Sequence, residues 1–406
     1  MSSGRTTRSC SPAVADSALT FPDLDDRRLL VELQSLGVHV QHDSSDDSDS
    51  ARRSRLGGRR GGAGPSDALF LWVRGLPLTV PWHAAFVERS PYTIHITEGS
   101  TLLYRDDALL GPVKLPRRPR IYDMQTADGI PYWQIALLHL DSIASTVVQK
   151  CIYWGTEEQC GFCGIELTRG KQTIPVKTPA QLAEVCTAAR DHDGAVDVTL
   201  TTGSINRRDR GAIYISRCAA AIKDASGLPI QVQFEPPDEP AVLEQVRAAG
   251  VDAVGIHIET FDPDVLGRVA AGKAKCGVEG YFRCWERAVE VFGRGRVSTY
   301  VILGMGERRE LIEEGCRRAI ALGVYPFVVP LRPVPGTLMA DTPAPDAEYV
   351  ASLYRSVSAM LADSGLDHVE AKAGCARCQA CSAMSLLERS GERDGRTYLP
   401  LVSSGQ

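Results

Sequence analysis

Short apolar runs alternate with longer amphipathic segments from residue 147 to residue 364. The apolar runs have the composition of buried strands, and six of them read VVQKCIYW, VDVTLTTG, PIQVQFE, AVGIHIE, RVSTYVILG and VYPFVVPL. The amphipathic segments that follow predict helices over 179–190, 207–226, 238–249, 278–292, 307–322 and 346–364. Such a succession favours right-handed crossovers and a parallel α/β sheet, which is either a partial barrel or a doubly wound sheet. In both architectures the chemistry lies at the carboxyl ends of the strands.

The chain before residue 147 follows a different pattern. Residues 42–67 are rich in Asp and Ser and then in Arg and Gly, with almost nothing apolar to bury, which predicts a disordered linker. Residues 68–146 contain short apolar runs broken by Gly, Pro and Asp, which predict a small β-rich or α+β domain with a hairpin around residues 98–100. The whole predicted organisation is a disordered N-terminus at 1–24, a short helical segment at 25–41, the linker at 42–67, the small domain at 68–146, the α/β core at 147–340, a C-terminal helix with a cysteine-rich segment at 341–390, and a tail at 391–406.

Composition and charge narrow the classes of function. The chain has 406 residues, of which 44% are apolar and 23% charged, and its formal net charge is −5. These values are ordinary for a globular enzyme and provide no basic field for nucleic acid. No apolar run approaches the roughly 18 residues that span a bilayer, and the first residues lack the apolar stretch of a secretory signal. We therefore expect a cytoplasmic protein with no nucleic-acid or membrane partner.

The twelve cysteines indicate metal chemistry. A large cytoplasmic chain keeps its thiols reduced and needs no disulfide framework. Three isolated cysteines lie in apolar helical patterns and are predicted to be small core residues, namely Cys186, Cys218 and Cys316. Two further groups of three fall close together in the sequence, and these are the candidate ligands.

The first group begins with a C-x2-C pair, Cys160 and Cys163, which suits zinc or an iron–sulfur cluster. A zinc knuckle would need a second pair of ligands nearby, and none follows within the next twenty residues. The nearest additional thiol is Cys151, nine residues before Cys160. Three thiolates fit a [4Fe–4S] cluster in which one iron has no protein donor.

At this point the sequence resembles the radical S-adenosylmethionine (radical SAM) superfamily over roughly residues 147–340. Its members carry a C-x-aromatic-C pair after the first strand, which Cys160, Phe162 and Cys163 match. The usual third cysteine would stand at Thr156, so this chain departs from the pattern, and Cys151 is expected to take that place. The resemblance implies a partial (β/α)6 TIM-type barrel with a biotin- or lipoyl-synthase-like core. The small N-terminal domain and the C-terminal cysteine-rich extension would flank it.

Four later segments resemble the elements with which this superfamily binds SAM. They offer candidates for the methionine amino group (Thr201, Thr202, Gly203), the ribose (His257, Glu259), the adenine (Gly304 and Gly306 in VILGMGE) and the methionine carboxylate (Arg332). Each segment alone also fits a structural role, such as a helix N-cap, a turn or an ion pair. Their order after successive strands favours cofactor binding.

The resemblance implies a reaction as well. SAM would bind the open iron, and an electron from a donor such as flavodoxin or ferredoxin would release a 5′-deoxyadenosyl radical. That radical would take hydrogen from a small-molecule substrate. No side chain is assigned a catalytic role beyond holding the cofactors.

The second group, Cys375, Cys378 and Cys381, forms a C-x2-C-x2-C run. It suits a second iron–sulfur cluster, or a structural zinc that takes a fourth ligand from Cys276, Cys284 or a histidine. Because it follows the sixth helix after a short segment, we expect it to return to the carboxyl-end face of the barrel, opposite the first group.

The phrases CIYWGTEEQC, PLRPVPGT and GCARCQACS resemble those of a radical SAM family encoded in nitrilase-associated gene clusters. That resemblance covers most of residues 130–385 and implies a role with nitriles or related nitrogen compounds. Two other classes stay open: a zinc-stabilised βα-fold hydrolase or lyase with structural cysteines, and a non-catalytic iron–sulfur carrier. Neither needs the four SAM-binding segments.

Overall fold

The computed structural model describes residues 26–42, 63, 68–97, 99–168 and 172–385. The predicted disordered ends, 1–24 and 391–406, lie outside these residues. So does the predicted linker, except for residues 42 and 63.

A six-stranded sheet is built from the N-terminal part of the chain. Its strands are β1 (His39–His42), β2 (Ala68–Val73), β3 (Leu76–Pro81), β4 (Tyr92–Ile96), β5 (Thr101–Arg105) and β6 (Ala108–Lys114), in the spatial order β1-β4-β5-β6-β2-β3. The β4–β5 hairpin turns between Ile96 and Thr101, where the sequence predicted it. Helix α1 (Asp26–Leu36) packs on β3. Strand β1 pairs with β4, so residues on both sides of the predicted linker share one sheet.

The second sheet forms the barrel. Its strands are β7 (Leu137–His139), β8 (Ser142–Thr146), β9 (Asp197–Thr201), β10 (Ile230–Gln233), β11 (Ala253–Gly255), β12 (Val297–Leu303) and β13 (Val324–Pro330), which lie side by side in sequence order. Neighbouring strands from β8 to β13 are parallel, and β7 is an antiparallel edge. A doubly wound sheet would reverse its strand order at a switch point. The unreversed order therefore identifies an α/β half-barrel.

The helices follow these strands in turn. After α1 they are α2 (Pro179–Asp193), α3 (Ala212–Ser226), α4 (Val242–Ala248), α5 (Pro263–Val269), α6 (Ala271–Ala274), α7 (Gly277–Phe292), α8 (Arg309–Leu322), α9 (Ala347–Ser364) and α10 (Cys375–Cys378). Local sequence sets their ends. Helix α2 starts with a capping box between Thr178 and Gln181 and stops at Gly194, whose φ of 71° is one that glycine adopts without strain.

The first barrel strand differs from the prediction. The sequence placed it at residues 147–154, but the structure has it at Ser142–Thr146, where it pairs in register with β9. Beyond Thr146 the chain leaves the sheet, makes a single bridge between Val148 and Val176, and turns into the cysteine loop. The α/β core was predicted to begin at residue 147, but its first strand ends at Thr146, so the boundary must lie before Ser142.

The interior is continuous and apolar. Cys186, Cys218 and Cys316 are each buried in it, as predicted for small core residues. All eleven cysteines in the described ranges are free thiols. Among the described helices, none combines the length and the apolar character that crossing a bilayer requires.

Candidate active site

A cavity of about 390 Å³ lies on the inner side of the half-barrel. Both cysteine groups line it, together with most of the predicted SAM-binding residues: Cys151, Cys160, Cys163, Cys375, Cys378, Cys381, Thr201, Thr202, Gly203, His257, Glu259 and Arg332. Of the predicted site residues, only Gly304 and Gly306 do not line it. Residues far apart in the sequence therefore meet at one place.

Cys151 reaches this cavity because its loop is bonded to the TTGS segment. The Gly203 N–H donates to the Val148 carbonyl at 3.0 Å, and the Ile152 N–H donates to the Ser204 carbonyl at 2.8 Å. Backbone N–H groups of Tyr153 and Ser204 also hydrogen-bond to the Cys151 sulfur. The long spacing between Cys151 and Cys160 is thus accommodated by a loop that runs along the end of β9.

Gly203 makes that approach physically possible. A Cβ atom added at this position would lie 1.9 Å from the Lys150 carbonyl oxygen and 3.1 Å from Ile165 Cδ1. Real Cβ atoms do not come so close to a backbone carbonyl, so only glycine lets the two loops touch. The sequence predicted Gly203 as a SAM contact, and the structure gives it this packing role in addition.

Cys160 and Cys163 lie in a tight turn that is held from two sides. The Cys163 N–H donates to the Cys160 carbonyl at 3.1 Å. Between them, the Gly161 N–H donates to the Val269 carbonyl at 2.7 Å, and its carbonyl accepts from Met339 N–H at 3.0 Å. The end of α5 and the segment after β13 therefore fix the orientation of the C-x2-C pair.

A lysine in the short helix α6 contacts the segment after β11. Lys273 Nζ donates to Glu259 Oε1 and to the His257 carbonyl, both at 2.8 Å, and all three residues are buried or nearly so. Burial lowers the pKa of Lys273, but the negative groups around it, of which the Glu259 carboxylate contributes most, together raise the pKa well above its usual value. Glu259 adopts a φ of 72°, which is uncommon for a residue with a side chain. The ammonium thus stays charged beside the first cysteine group.

His257 is a neutral imidazole at the cavity wall. Burial, with a smaller contribution from the Lys273 charge, lowers its pKa to about 3. Its Nδ1 accepts a hydrogen bond from the Tyr300 N–H at 3.1 Å, so Nε2 carries the proton. That Nε2 is buried and has no partner among the described residues, which leaves a donor ready for a ligand oxygen.

The GMGE turn has a clear structural role. The Glu307 carboxylate accepts from the backbone N–H groups of Gly304 and Met305, each at 2.8 Å, and from the Tyr349 hydroxyl at 2.9 Å. Gly304 and Gly306 have φ values of 99° and 90°, which this turn requires. Ile302, two residues before Gly304, is the part of this segment that lines the cavity.

The second cysteine group is anchored by an arginine. The Arg377 guanidinium bonds Asp141 in the β7–β8 turn, closest at 2.6 Å, and Asp197 at 2.5 Å, while Gly374 N–H donates to Asp197 at 3.0 Å. Cys375 Sγ accepts from Gln233 Nε2 at 3.5 Å.

The location of this group corrects a sequence expectation. Asp197 is the first residue of β9, so Cys375, Cys378 and Cys381 approach the cavity from the amino ends of the strands and not from the carboxyl-end face. The reason is the pair of carboxylates that hold Arg377 there. The two cysteine groups still line the same cavity.

Residues 155–318 match the model of the radical SAM superfamily. The chain carries a radical SAM domain. The protein is therefore an enzyme, and the superfamily implies a [4Fe–4S] cluster and SAM as its cofactors.

Individual relatives cover parts of the chain. The bacteriochlorophyllide c C-7(1)-hydroxylase of Chlorobaculum limnaeum is 30% identical over 132 residues, which are 32% of this chain and 33% of that protein. The chain thus spans about a third of that relative. Among solved structures, methylornithine synthase aligns with a TM-score of 0.44 and 17% sequence identity. The alignment covers 54% of this chain and 61% of the synthase chain. A radical SAM methyltransferase from Sphaerobacter thermophilus aligns with a TM-score of 0.43 and 14% sequence identity, and the alignment covers 67% of this chain and 75% of the methyltransferase chain.

The first cysteine group fits an iron–sulfur cluster. Burial raises the pKa of Cys163 to about 11 and that of Cys151 and Cys160 above the usual range, so the thiolates need a cation to form. The N–H groups aimed at the Cys151 sulfur are of the kind that tune such clusters. No group of three or more His, Cys, Asp or Glu side chains in the described part of the chain is arranged to hold a metal ion. A four-iron cluster needs a wider arrangement, because each thiolate binds its own iron.

Two charged cavity residues in the radical SAM domain were missed from the sequence. Glu235 accepts from Ser204 Oγ at 2.8 Å and from the Tyr153 hydroxyl at 3.2 Å, directly after β10. The rule that selected residues after the other strands would have found it. Lys273 had no such signal, because it lies in a short helix and meets Glu259 only in the folded chain.

Replacing Lys273 with methionine should lower the free energy of unfolding by about 3 kcal/mol, because it leaves the Glu259 carboxylate buried without its cation. Denaturant unfolding of the purified chain measures the effect. The matched control combines Lys273→Met with Glu259→Gln and should recover part of the loss. Equal losses in the single and double variants would show that the ion pair is not the cause.

Proposed function

We propose that the protein cleaves SAM reductively at a [4Fe–4S] cluster held by Cys151, Cys160 and Cys163. The resulting radical would act on a small-molecule substrate in the same cavity. The observation that supports this most strongly is that one cavity gathers this cysteine group with the predicted SAM segments after β9 and β11.

The residues of the chain would prepare the site for this reaction. When bound, the cluster and SAM supply one-electron chemistry that yields a 5′-deoxyadenosyl radical. Cys151 is oriented by its two N–H donors, and Lys273 places positive charge beside the thiolates. His257 Nε2 offers a hydrogen bond to a ribose hydroxyl. Apolar and aromatic walls, including Phe162 and Phe327, would exclude water from the reacting centre.

The substrate belongs to the same proposal. The Chlorobaculum relative is named as a C-7(1)-hydroxylase of bacteriochlorophyllide c, which suits an attack on a C–H bond in the cavity. The resemblance to a nitrilase-associated family suggests a substrate related to nitrile or nitrogen metabolism. A flavodoxin or ferredoxin in the cytoplasm would supply the electron. To test this, the reconstituted enzyme is incubated with nitriles, amides and amines, and the loss of each compound is measured.

Cleavage of SAM is the first experiment. Anaerobically reconstituted full-length protein, reduced with dithionite and mixed with SAM, should release 5′-deoxyadenosine and methionine, as measured by mass spectrometry. The purified protein should also be brown, with absorption near 400 nm that fades on reduction. A colourless, zinc-loaded protein that leaves SAM intact would favour the alternative of a βα-fold hydrolase or lyase. A brown protein that leaves SAM intact would favour an iron–sulfur carrier.

We further propose that Cys375, Cys378 and Cys381 bind a second iron–sulfur cluster. Burial raises the pKa of Cys375 to about 12 and the pKa of Cys378 well above its usual value, so these two thiols, like the first group, need a cation to ionise. Replacing all three with alanine should remove about half of the iron per chain, since two four-iron clusters would share it equally. Iron and zinc are measured by elemental analysis. Full iron with the loss of one zinc would instead identify a structural zinc site.

A further inference from the structure

Arg332 has hydrogen-bonding capacity that the described protein does not use. It follows β13 and lines the cavity. One of its Nη2 hydrogens goes to the Thr79 carbonyl at 3.0 Å, while the buried Nε has no partner among the described residues. No carboxylate in the described ranges forms an ion pair with it. The guanidinium therefore faces the cavity without a counter-ion.

Its position is beside the second cysteine group. Thr79, which accepts from Arg332, also donates its N–H to the Ala380 carbonyl at 2.9 Å, and its hydroxyl lies 3.8 Å from Cys381 Sγ. The buried cation beside the first cysteine group is Lys273, which bonds Glu259. The two cations thus lie at different parts of the cavity wall.

We propose that Arg332 anchors a carboxylate of the substrate, which the sequence resemblance had assigned instead to the methionine part of SAM. The inference rests on the proposed function, because it assumes that SAM occupies the side of the first cysteine group. A planar carboxylate can accept from Nε and from the second Nη2 hydrogen at once, which is the side-on bidentate pairing that arginine favours. Lysine could not provide two such parallel donors.

The neighbouring walls define the rest of the ligand. Phe70, Phe327 and Val334 line the same cavity as Arg332. A charged group on an apolar chain would bury the chain against these side chains and give its carboxylate to the guanidinium. The substrate class is therefore a small carboxylic acid with an apolar body, held so that its carbon chain lies between the two cysteine groups.

The inference can be tested by comparing the binding of hexanoate with that of hexanamide, which has the same carbon chain but no charge. Calorimetric titration of the full-length, anaerobically reconstituted protein should show hexanoate binding at least about tenfold more tightly than hexanamide, the range of a charge-assisted hydrogen bond. Arg332→Gln should remove this preference, and Arg332→Lys should retain only part of it. The dissociation constant of SAM should stay within about twofold in both variants, because SAM would not contact this side chain.

Three results would overturn the inference. The first is a wild-type protein that binds hexanoate no better than hexanamide. The second is an Arg332→Gln variant that loses SAM affinity and keeps the hexanoate preference, which would return Arg332 to SAM. The third is a variant that loses only metal from the second cysteine group, which would make the guanidinium a counter-charge for those thiolates.

A measurement on the unmodified protein covers the case in which the variants do not fold. Phenylglyoxal labels arginine side chains, and peptide mass spectrometry locates the label. Hexanoate should slow the labelling of Arg332 while hexanamide does not, and equal rates with the two would contradict the inference. Release of 5′-deoxyadenosine is measured on the same samples. If 5′-deoxyadenosine is released but hexanoate is not preferred over hexanamide, this inference fails and the proposed function stands. If hexanoate is preferred but no 5′-deoxyadenosine is released, the proposed function fails.

Discussion

A chain in which Cys160 and Cys163 are both alanine should lose the iron of its first site and should release 5′-deoxyadenosine more than about 100-fold more slowly. Removing a residue that hydrogen-bonds to a metal ligand already lowers metal affinity or activity by about 10- to 100-fold. The effect should be larger here, because these thiols would be direct ligands. Both side chains line the cavity, and the turn that carries them is held at Gly161 from two sides. The readouts are iron per chain and 5′-deoxyadenosine released by the reduced protein.

The matched control is Cys186→Ala, which removes a thiol buried in the core on α2, away from the cavity lining. It should keep its iron content and lose only about 1 kcal/mol of stability. If the double variant keeps both its iron and its SAM cleavage, the ligands of the first cluster have been assigned to the wrong residues.

Replacing Gly203 with alanine should cost the protein most of its first cluster. The added Cβ would lie 1.9 Å from the Lys150 carbonyl oxygen, so the TTGS segment and the cysteine loop would have to move apart. Overpacking usually lowers the free energy of unfolding by about 1–3 kcal/mol. We expect a loss at or above the upper end of this range, because both sides of the contact are backbone and cannot yield as a flexible side chain would. Cys151 would lose the Ser204 N–H, which is the donor that the TTGS segment contributes to its sulfur. We expect iron per chain to fall about to the level of the Cys151→Ala variant.

Gly267→Ala is the control for this change. A Cβ at Gly267 meets nothing within 4 Å, and the residue lies in α5, where alanine is the better helix former. Its iron content should equal that of the wild type. The accessibility of Cys151 to iodoacetamide in the metal-free protein provides a second readout, which should rise in Gly203→Ala alone. Unchanged iron and unchanged alkylation would mean that the two loops tolerate separation.

Much of the fold could be predicted from the sequence because strand and helix signals are local. Predicted helices at 278–292 and 346–364 match α7 (Gly277–Phe292) and α9 (Ala347–Ser364) within a residue or so. The first barrel strand was misplaced because VVQKCIYW is the more apolar run, and only pairing with β9 identifies SIAST as the strand. The choice between a half-barrel and a doubly wound sheet also needed the strand order.

Motifs in the sequence predicted that the first cysteine group, the TTGS segment and polar residues such as Glu259 and Arg332 would lie at the carboxyl ends of the strands. That information is local, because a motif and its spacing are properties of neighbouring residues. Contacts between distant segments are visible only in the folded chain. The tertiary structure placed the C-terminal cysteines at the amino ends of the strands through Arg377 and joined Lys273 to Glu259. It also left Arg332 Nε without a partner among the described residues. Such pairings depend on which backbone segments pack together and on how much water they exclude, and no local pattern encodes either.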